Sequence, residues 1–248
     1  MPSNSAKLSV IRDHYLSGVI GKEIFPKVTS IEHTNNPLAR VSDFFLRKAT
    51  KTLDAICVLC EAGFPEDALV LGRTIFELSL HLKWIALPDS VEQQRLRAES
   101  FIYDGDRQRV ERLKGLQKLK QQGKCIWWIE QIESENPNLQ TISKPNDFIP
   151  IKKLEVMATE LGDPWEWLYH FTYKDISKLV QGSGSHTYFH DVDQDEEASQ
   201  ALSFAIVTHY YLTETVLSLL GLKQHRPNLE EFIKLFMTES RHRIVQNA

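Results

Sequence analysis

Leu69-Val-Leu-Gly-Arg-Thr-Ile-Phe-Glu-Leu-Ser-Leu-His-Leu-Lys-Trp-Ile85 reads as a helix that is apolar almost all the way round, the pattern of a rod buried in a bundle rather than laid on its surface. Arg73, Glu77 and His81 recur at every fourth position, so at about 100° per residue they form one polar stripe along the rod. Charges inside a core persist only when paired and hydrogen-bonded, and breaking such a pair costs ~3–5 kcal/mol. The stripe therefore predicts counterparts on another helix. Arg before Glu at i,i+4 is the less favourable order for a pair within one helix, which directs the expectation to partners elsewhere in the chain or to a ligand.

Upstream, Asn36 followed by Pro37 is a helix start, cap then first turn. The helix it opens carries an apolar stripe at Leu38, Val41, Phe45, Thr52, Ile56 and Leu59 and stops at Gly63. Pro65 opens the organising helix so soon afterwards that the two should form an antiparallel hairpin. Residues 5–20 read as a short first helix, with a loop through Pro26 to Asn35-Asn36.

Downstream, Ser90 to Gly123 is a long, highly charged helical segment with sparse apolar positions, expected on the outside of the bundle with a break near Gly105. Cys125-Ile-Trp-Trp-Ile129 is a short aromatic helix or patch, and 135–150, rich in Pro, Asn and Ser, is a loop or insertion. Residues 151–161 and 163–181 are two more helices, followed by the loop Gly182-Ser-Gly-Ser-His186. The acidic run Asp191 to Glu197 favours the N-terminus of a helix whose stripe is Ala198, Leu202, Ile206, Leu212, Val216 and Leu219, ending at Gly221. Asn228 is expected to cap a last helix with Leu229, Phe232, Ile233 and Phe236 inward. No alternating strand appears. The expected fold is all-α: an antiparallel helical bundle with a long charged helix and a loop-rich insertion. The expected organisation is an N-terminal helix and linker over 1–36 and one bundle domain over 37–248, with 135–150 inserted in it.

A net charge of −4 over 248 residues argues against bulk electrostatic binding of nucleic acid and leaves a local basic patch open. The opening residues lack the basic-then-apolar pattern of a secretory leader, and the most apolar stretch carries Arg73, Glu77, His81 and Lys83, so no membrane partner is expected. Three cysteines are too few for a disulfide framework and fit a reducing cytoplasm.

The stripe admits two readings. One is a structural network that orients neighbouring helices. The other is a polar pocket in which Arg73 binds an anion or polarises a substrate and Glu77 fixes it. The answering segment is expected in Tyr169 to His186, where Tyr173 and Ser177 share a helical face with Tyr169 and the glycines allow a tight turn. The unperturbed pKa of histidine lies near neutrality, so His186 suits a general acid or base. A helix end with a glycine-serine loop fits that segment equally. His186 and His190 at i,i+4, beside Asp191 and Asp193, have metal-ligand spacing, but no glutamate lies between the histidines and acids are expected there for capping. No metal and no cofactor are assigned. His209 lies on an apolar stripe and reads as a core histidine, and Cys57-x-x-Cys60 reads as packing. Arg107, Arg109, Arg112, Lys114, Lys118, Lys120 and Lys124 form the dense basic run, either a solvated face or a phosphate contact for nucleic acid. Trp127 and Trp128 beside it suit a subunit interface.

Ala68-Leu-Val-Leu-Gly-Arg-Thr-Ile-Phe-Glu-Leu78 with Arg97-Ala-Glu-Ser-Phe-Ile-Tyr103 resembles the bacterial family catalogued as domain of unknown function 5677. Tyr173, Ser177 and the following Val-Gln-Gly-Ser resemble that family's second motif, a Tyr, a Ser and a His before small residues. The resemblance spans roughly residues 38–220. Gln181 stands where the motif histidine is expected. Either His186 takes its place from the loop or the catalytic reading does not hold. The resemblance implies an all-helical build similar to HEPN-type bundles, many of them ribonucleases or their inactive partners in phage defence and toxin systems. Their signature, Arg and then His after four to six residues, is not met, because seven separate Arg73 from His81.

Three functions follow as expectations. The first is a cytoplasmic defence or toxin effector that cleaves RNA without a metal, using Arg73, Glu77, Tyr173, Ser177 and His186. The second is a non-catalytic interaction module that binds a protein partner or its own copy. The third is nucleic-acid binding through Arg107, Arg109, Arg112, Lys114 and Lys118 without cleavage.

Overall fold

A computed structural model describes residues 4–124, 126–135, 144–174, 176 and 194–246. Among them every regular element is helical, and the all-α expectation holds. In chain order the elements are α1 (Asn4–Ser9), a π-helical stretch π1 (Val10–Ile24), α2 (Phe25–Thr29), α3 (Pro37–Glu61), α4 (Pro65–Ala86) and α5 (Val91–Gln121). Then come α6 (Ile126–Glu135), α7 (Leu154–Leu161), α8 (Trp165–Trp167), a second π-helical stretch π2 (Leu168–Tyr173), α9 (Gln194–Leu219) and α10 (Arg226–Gln246). The chain divides into two compact units, Met1–Leu87 with Lys153–Ala248, and Pro88–Lys152.

The first unit is organised around α3, α4 and α9, each packed against the other two. Asn36 caps α3 by accepting a hydrogen bond from the Ala39 N–H at 3.1 Å. At the other end Gly63 takes φ 81, Gly63 N–H bonds to the Cys60 carbonyl and Phe64 N–H to the Leu59 carbonyl. That pair of hydrogen bonds closes the helix as a Schellman turn and lets Pro65 begin α4 at once. Gly221 (φ 69) ends α9 in the same way, with Leu222 N–H on the Leu217 carbonyl at 2.8 Å.

Close approach of α4 and α9 depends on a glycine. A Cβ on Gly72 would meet Cδ1 of Phe204 at 3.1 Å, so the ring fills the space that other residues would occupy. About two turns further along α4, the Ser79 hydroxyl lies 2.8 Å from the Thr208 carbonyl oxygen, tying the two helices at a second level. The core there is aromatic: Phe76 is fully buried, with ring centroids 5.4 Å from Tyr173, 6.0 Å from Trp165 and 6.0 Å from Phe204.

The N-terminal segment differs from the expected short helix and loop. Its helical run continues through Pro26 to Thr29. Ile11, Tyr15, Val19, Ile20 and Ile24 of π1 are buried. The last helix also differs, for it starts at Arg226 after a 3₁₀ turn Lys223–His225. Asn228 is thus inside the first turn, and its side chain bonds to Glu23 instead of capping. Leu229, Phe232 and Phe236 face inward as expected.

In the second unit α5 runs unbroken from Val91 to Gln121, through Gly105. Gly105 and Gly115 are exposed, with nothing within 4 Å of where a Cβ would lie, so neither forces a kink. Gly123 (φ 76) terminates α5, Lys124 N–H bonding to the Leu119 carbonyl at 2.9 Å. Ser100 Oγ accepts the Ile149 N–H at 2.9 Å, and Tyr103 packs edge-on against Phe148, which pins the irregular chain after 144 to α5.

Candidate functional site

The polar stripe of α4 is half-buried rather than enclosed. The side chain of Arg73 is 28% exposed and that of Glu77 is 34% exposed. Long polar side chains on an otherwise apolar helix can carry their charged ends to the water while their stems pack, and that overturns the expectation of charges sealed in the core. The pair is also made within the helix: Arg73 Nε donates to Glu77 Oε1 at 2.9 Å. The intrahelical order penalty is only a few tenths of a kcal/mol, and a third group offsets it.

That third group is Tyr173, at the end of π2. Its hydroxyl donates to the same Glu77 oxygen at 2.9 Å, and the Arg73 guanidinium lies 4.9 Å from its ring centroid. Arg73 is therefore held in place twice, by a charge-assisted hydrogen bond and by an aromatic face. Tyr173 is itself held between Phe76 and Tyr169, whose ring stacks on it at 5.2 Å with planes 19° apart. Burial first, then the hydrogen bond to the Glu77 carboxylate, raise the Tyr173 pKa above the ordinary tyrosine value. Partial burial is the largest single influence and works against the charge on Arg73, but the hydrogen bond to Glu77 together with the neighbouring Tyr173 and the Glu77 charge outweighs it, and its pKa is raised. The trio is thus a fixed cation, a carboxylate accepting two bonds on one oxygen, and a phenol kept protonated.

The structure brings Arg73, Glu77 and Tyr173 together. His81 is half-buried one turn further along. Ser177 and His186 lie outside the described residues, as do Gln181, His190, Asp191 and Asp193. Among the described residues no group of three or more His, Cys, Asp or Glu is arranged to hold a metal.

Other sequence candidates resolve as follows. His209 is fully buried in α9. Burial pushes the Cys57 thiol up to about 12 and the Cys60 thiol up to about 11, values of packed rather than reactive sulfurs. In the basic run, Arg107 pairs with Asp104 at 2.8 Å, Arg109 with Asp106 at 3.2 Å and Lys114 with Glu111 at 3.0 Å. Lys120 reaches Glu130 and Glu133, both at 3.3 Å. Arg112 and Lys118 are exposed. Trp127 is 74% exposed.

Two polar features were not legible beforehand. Lys83 Nζ meets Glu214 Oε2 at 2.9 Å while Arg226 bonds to the other oxygen, beside a cleft of about 460 Å³ walled by Trp165 and Tyr211. A second cleft of about 620 Å³ is lined by Arg12, Asp13, Glu61 and Asp195. Neither cleft includes Arg73, Glu77 or Tyr173.

The fold and this trio define an all-helical protein with a half-open Arg–Glu–Tyr cluster on a core helix. The chain belongs to the family of unknown function (DUF5677), whose profile matches residues 41–199 and so takes in most of α3, all of α4 and Tyr173. No curated protein matches the chain, and no solved structure does. No described helix is long and apolar enough to cross a membrane.

Proposed function

We propose that this protein is a cytoplasmic effector of the phage-defence or toxin type that cleaves RNA without a metal, its polar site built from Arg73, Glu77, Tyr173, Ser177 and His186. The observation that supports the reading is the posture of Arg73, whose Nε is committed to Glu77 at 2.9 Å while its side chain keeps 28% exposure. A cation fixed in advance and still open to solvent can meet phosphate charge as it builds in a transition state, without reorganising. In this reading His186 supplies the acid or base, and Ser177 is included on its sequence spacing alone, four positions after Tyr173. The test is RNA cleavage, and toxicity in cells, by Arg73→Ala and His186→Ala variants whose folding is verified by circular dichroism. Each is expected to lose ~10²-fold or more. Full activity in both folded variants removes the reading.

A second reading, a non-catalytic interaction module or homo-oligomeric subunit, is favoured by one observation, the 74% exposure of Trp127. Large exposed aromatics anchor interfaces. Sedimentation across a concentration series tests it. A dimer that Trp127→Glu returns to monomer supports assembly, and a monomer at all concentrations, with no captured partner, removes it.

A further inference from the structure

We infer that the outward face of α3 is a docking surface for single-stranded nucleic acid, formed by Arg40, Lys48 and Lys51 around the exposed ring of Phe44. Phe44 is 53% exposed, and all three cations are exposed. The inference is independent of the proposed cleavage site.

Charge compensation carries the argument. Along α5 the cations Arg95, Arg107, Arg109 and Lys114 each pair with an acid three residues earlier, so much of that run is neutralised where it stands. What remains on α5, Arg112 and Lys118, are six residues apart and hence about 120° from each other round the helix. On α3 the situation is reversed. Among the described residues Arg40, Lys48 and Lys51 carry no ion pair, while the acids of the same helix are already engaged, Asp43 by Arg47 and Asp54 and Glu61 by Arg12. At about 100° per residue Arg40, Phe44, Lys51 and Lys48 fall within an arc of roughly 80°, spread over about 16 Å of helix axis. Asp54 and Asp43 lie about 40° and about 60° outside that arc, on the side of Arg40.

An uncompensated row of cations binds a row of anions, and the polyanion that also uses an aromatic ring at the centre is a nucleic-acid strand with unpaired bases. Its phosphates follow the charges and a base stacks on the ring, which is sequence-tolerant. An anionic membrane is the weaker fit. The apolar part of this face is Phe44 and, beyond Asp54, Val58, too little to seat a helix in lipid.

The test uses the full chain and a fluorescein-labelled single-stranded RNA of about a dozen mixed-sequence nucleotides, read by anisotropy over a salt series. The combined Arg40→Ala, Lys48→Ala, Lys51→Ala variant is expected to bind at least tenfold more weakly. Its slope of log affinity against log salt should be smaller by about 2, since each phosphate contact on a single strand contributes about 0.7. Phe44→Ala should weaken binding and leave the slope unchanged. The control variant Arg107→Ala, Arg109→Ala, Lys114→Ala should bind as the parent does. All these positions are exposed, and unchanged circular dichroism confirms folding. Four results overturn the inference: no binding by the parent, an unchanged slope in the α3 variant, an equal loss in the α5 control, or capture by phosphatidylserine vesicles but not by RNA. A protein that binds through α3 and leaves the RNA intact sinks the proposed cleavage and leaves this surface standing.

Discussion

The hydroxyl of Tyr15 meets Nδ1 of His209 at 2.8 Å, joining π1 to α9 across 194 residues of chain. Nε2 of the same ring lies 3.1 Å from the Thr50 hydroxyl on α3, and the Tyr15 ring stacks on Phe232 of α10 at 4.1 Å. The Thr213 hydroxyl lies 2.9 Å from the His209 carbonyl oxygen and 3.2 Å from Nδ1. One neutral imidazole thereby ties four helical segments in the core.

Burial pulls the His209 pKa down to about 3. An unfolded histidine titrates near 6.5, so between these values the unfolded chain holds a proton that the folded chain refuses. Stability from this group is complete above pH ~6.5 and is lost as pH falls toward 3, by at most ~1.4 kcal/mol per pH unit. Urea unfolding at several pH values should show the loss, and His209→Gln should flatten the difference over that window. Parallel pH curves for parent and variant would show that the ring is not the sensor.

Tyr173 offers a titration with opposite responses from its two partners. Glu77→Gln should lower its pKa, because a carboxylate that opposes the phenolate is gone, whereas Arg73→Met should raise it, because a favouring cation is gone. Carbon NMR of ring-labelled tyrosine reads both. Shifts of the same sign in the two variants would mean that the trio does not form in solution.

Packing at the centre of the first unit should be intolerant in both directions. Phe76→Ala empties a fully buried site bounded by three rings and should cost ~3–5 kcal/mol. Gly72→Leu drives a side chain into Phe204 and should cost ~1–3 kcal/mol or more. Both are read as falls in the urea midpoint.

The second unit should respond in the other sense. Gly105→Ala and Gly115→Ala lie inside α5 with open space around them, and each should stabilise by ~0.5–1 kcal/mol through lower backbone entropy in the unfolded chain. Higher midpoints in both variants, additive in the double, are the expected result.

Local signals were legible where the chain alone settles them. Asn36, Gly63 and Gly221 act as cap and terminators because each function needs only a few neighbouring backbone atoms. His209 reads as a core residue from its stripe, but Tyr15 as its partner does not, since no local pattern links positions 194 apart. The Arg73 stripe predicted a partner in the 169–186 segment, and Tyr173 is there. Its burial was overestimated because a helical wheel counts where stems point and not how far long side chains reach. Pro26 belongs to the expected loop, whereas the helical run continues past it to Thr29. The pairing along α5 was present in the i,i+3 spacing of Asp104 with Arg107 and of Glu111 with Lys114.

Glu77 and Tyr173 are 96 positions apart and share one hydrogen bond. A compound that grips Arg73 and the tyrosine together would act as a clasp, delaying the parting of α4 from π2 on heating. Occupancy at saturating dose should appear as a dose-dependent rise in melting temperature, about 2.7 kcal/mol of added stability at a hundredfold excess over Kd. The cluster can therefore be screened against compound collections before any substrate or turnover assay exists.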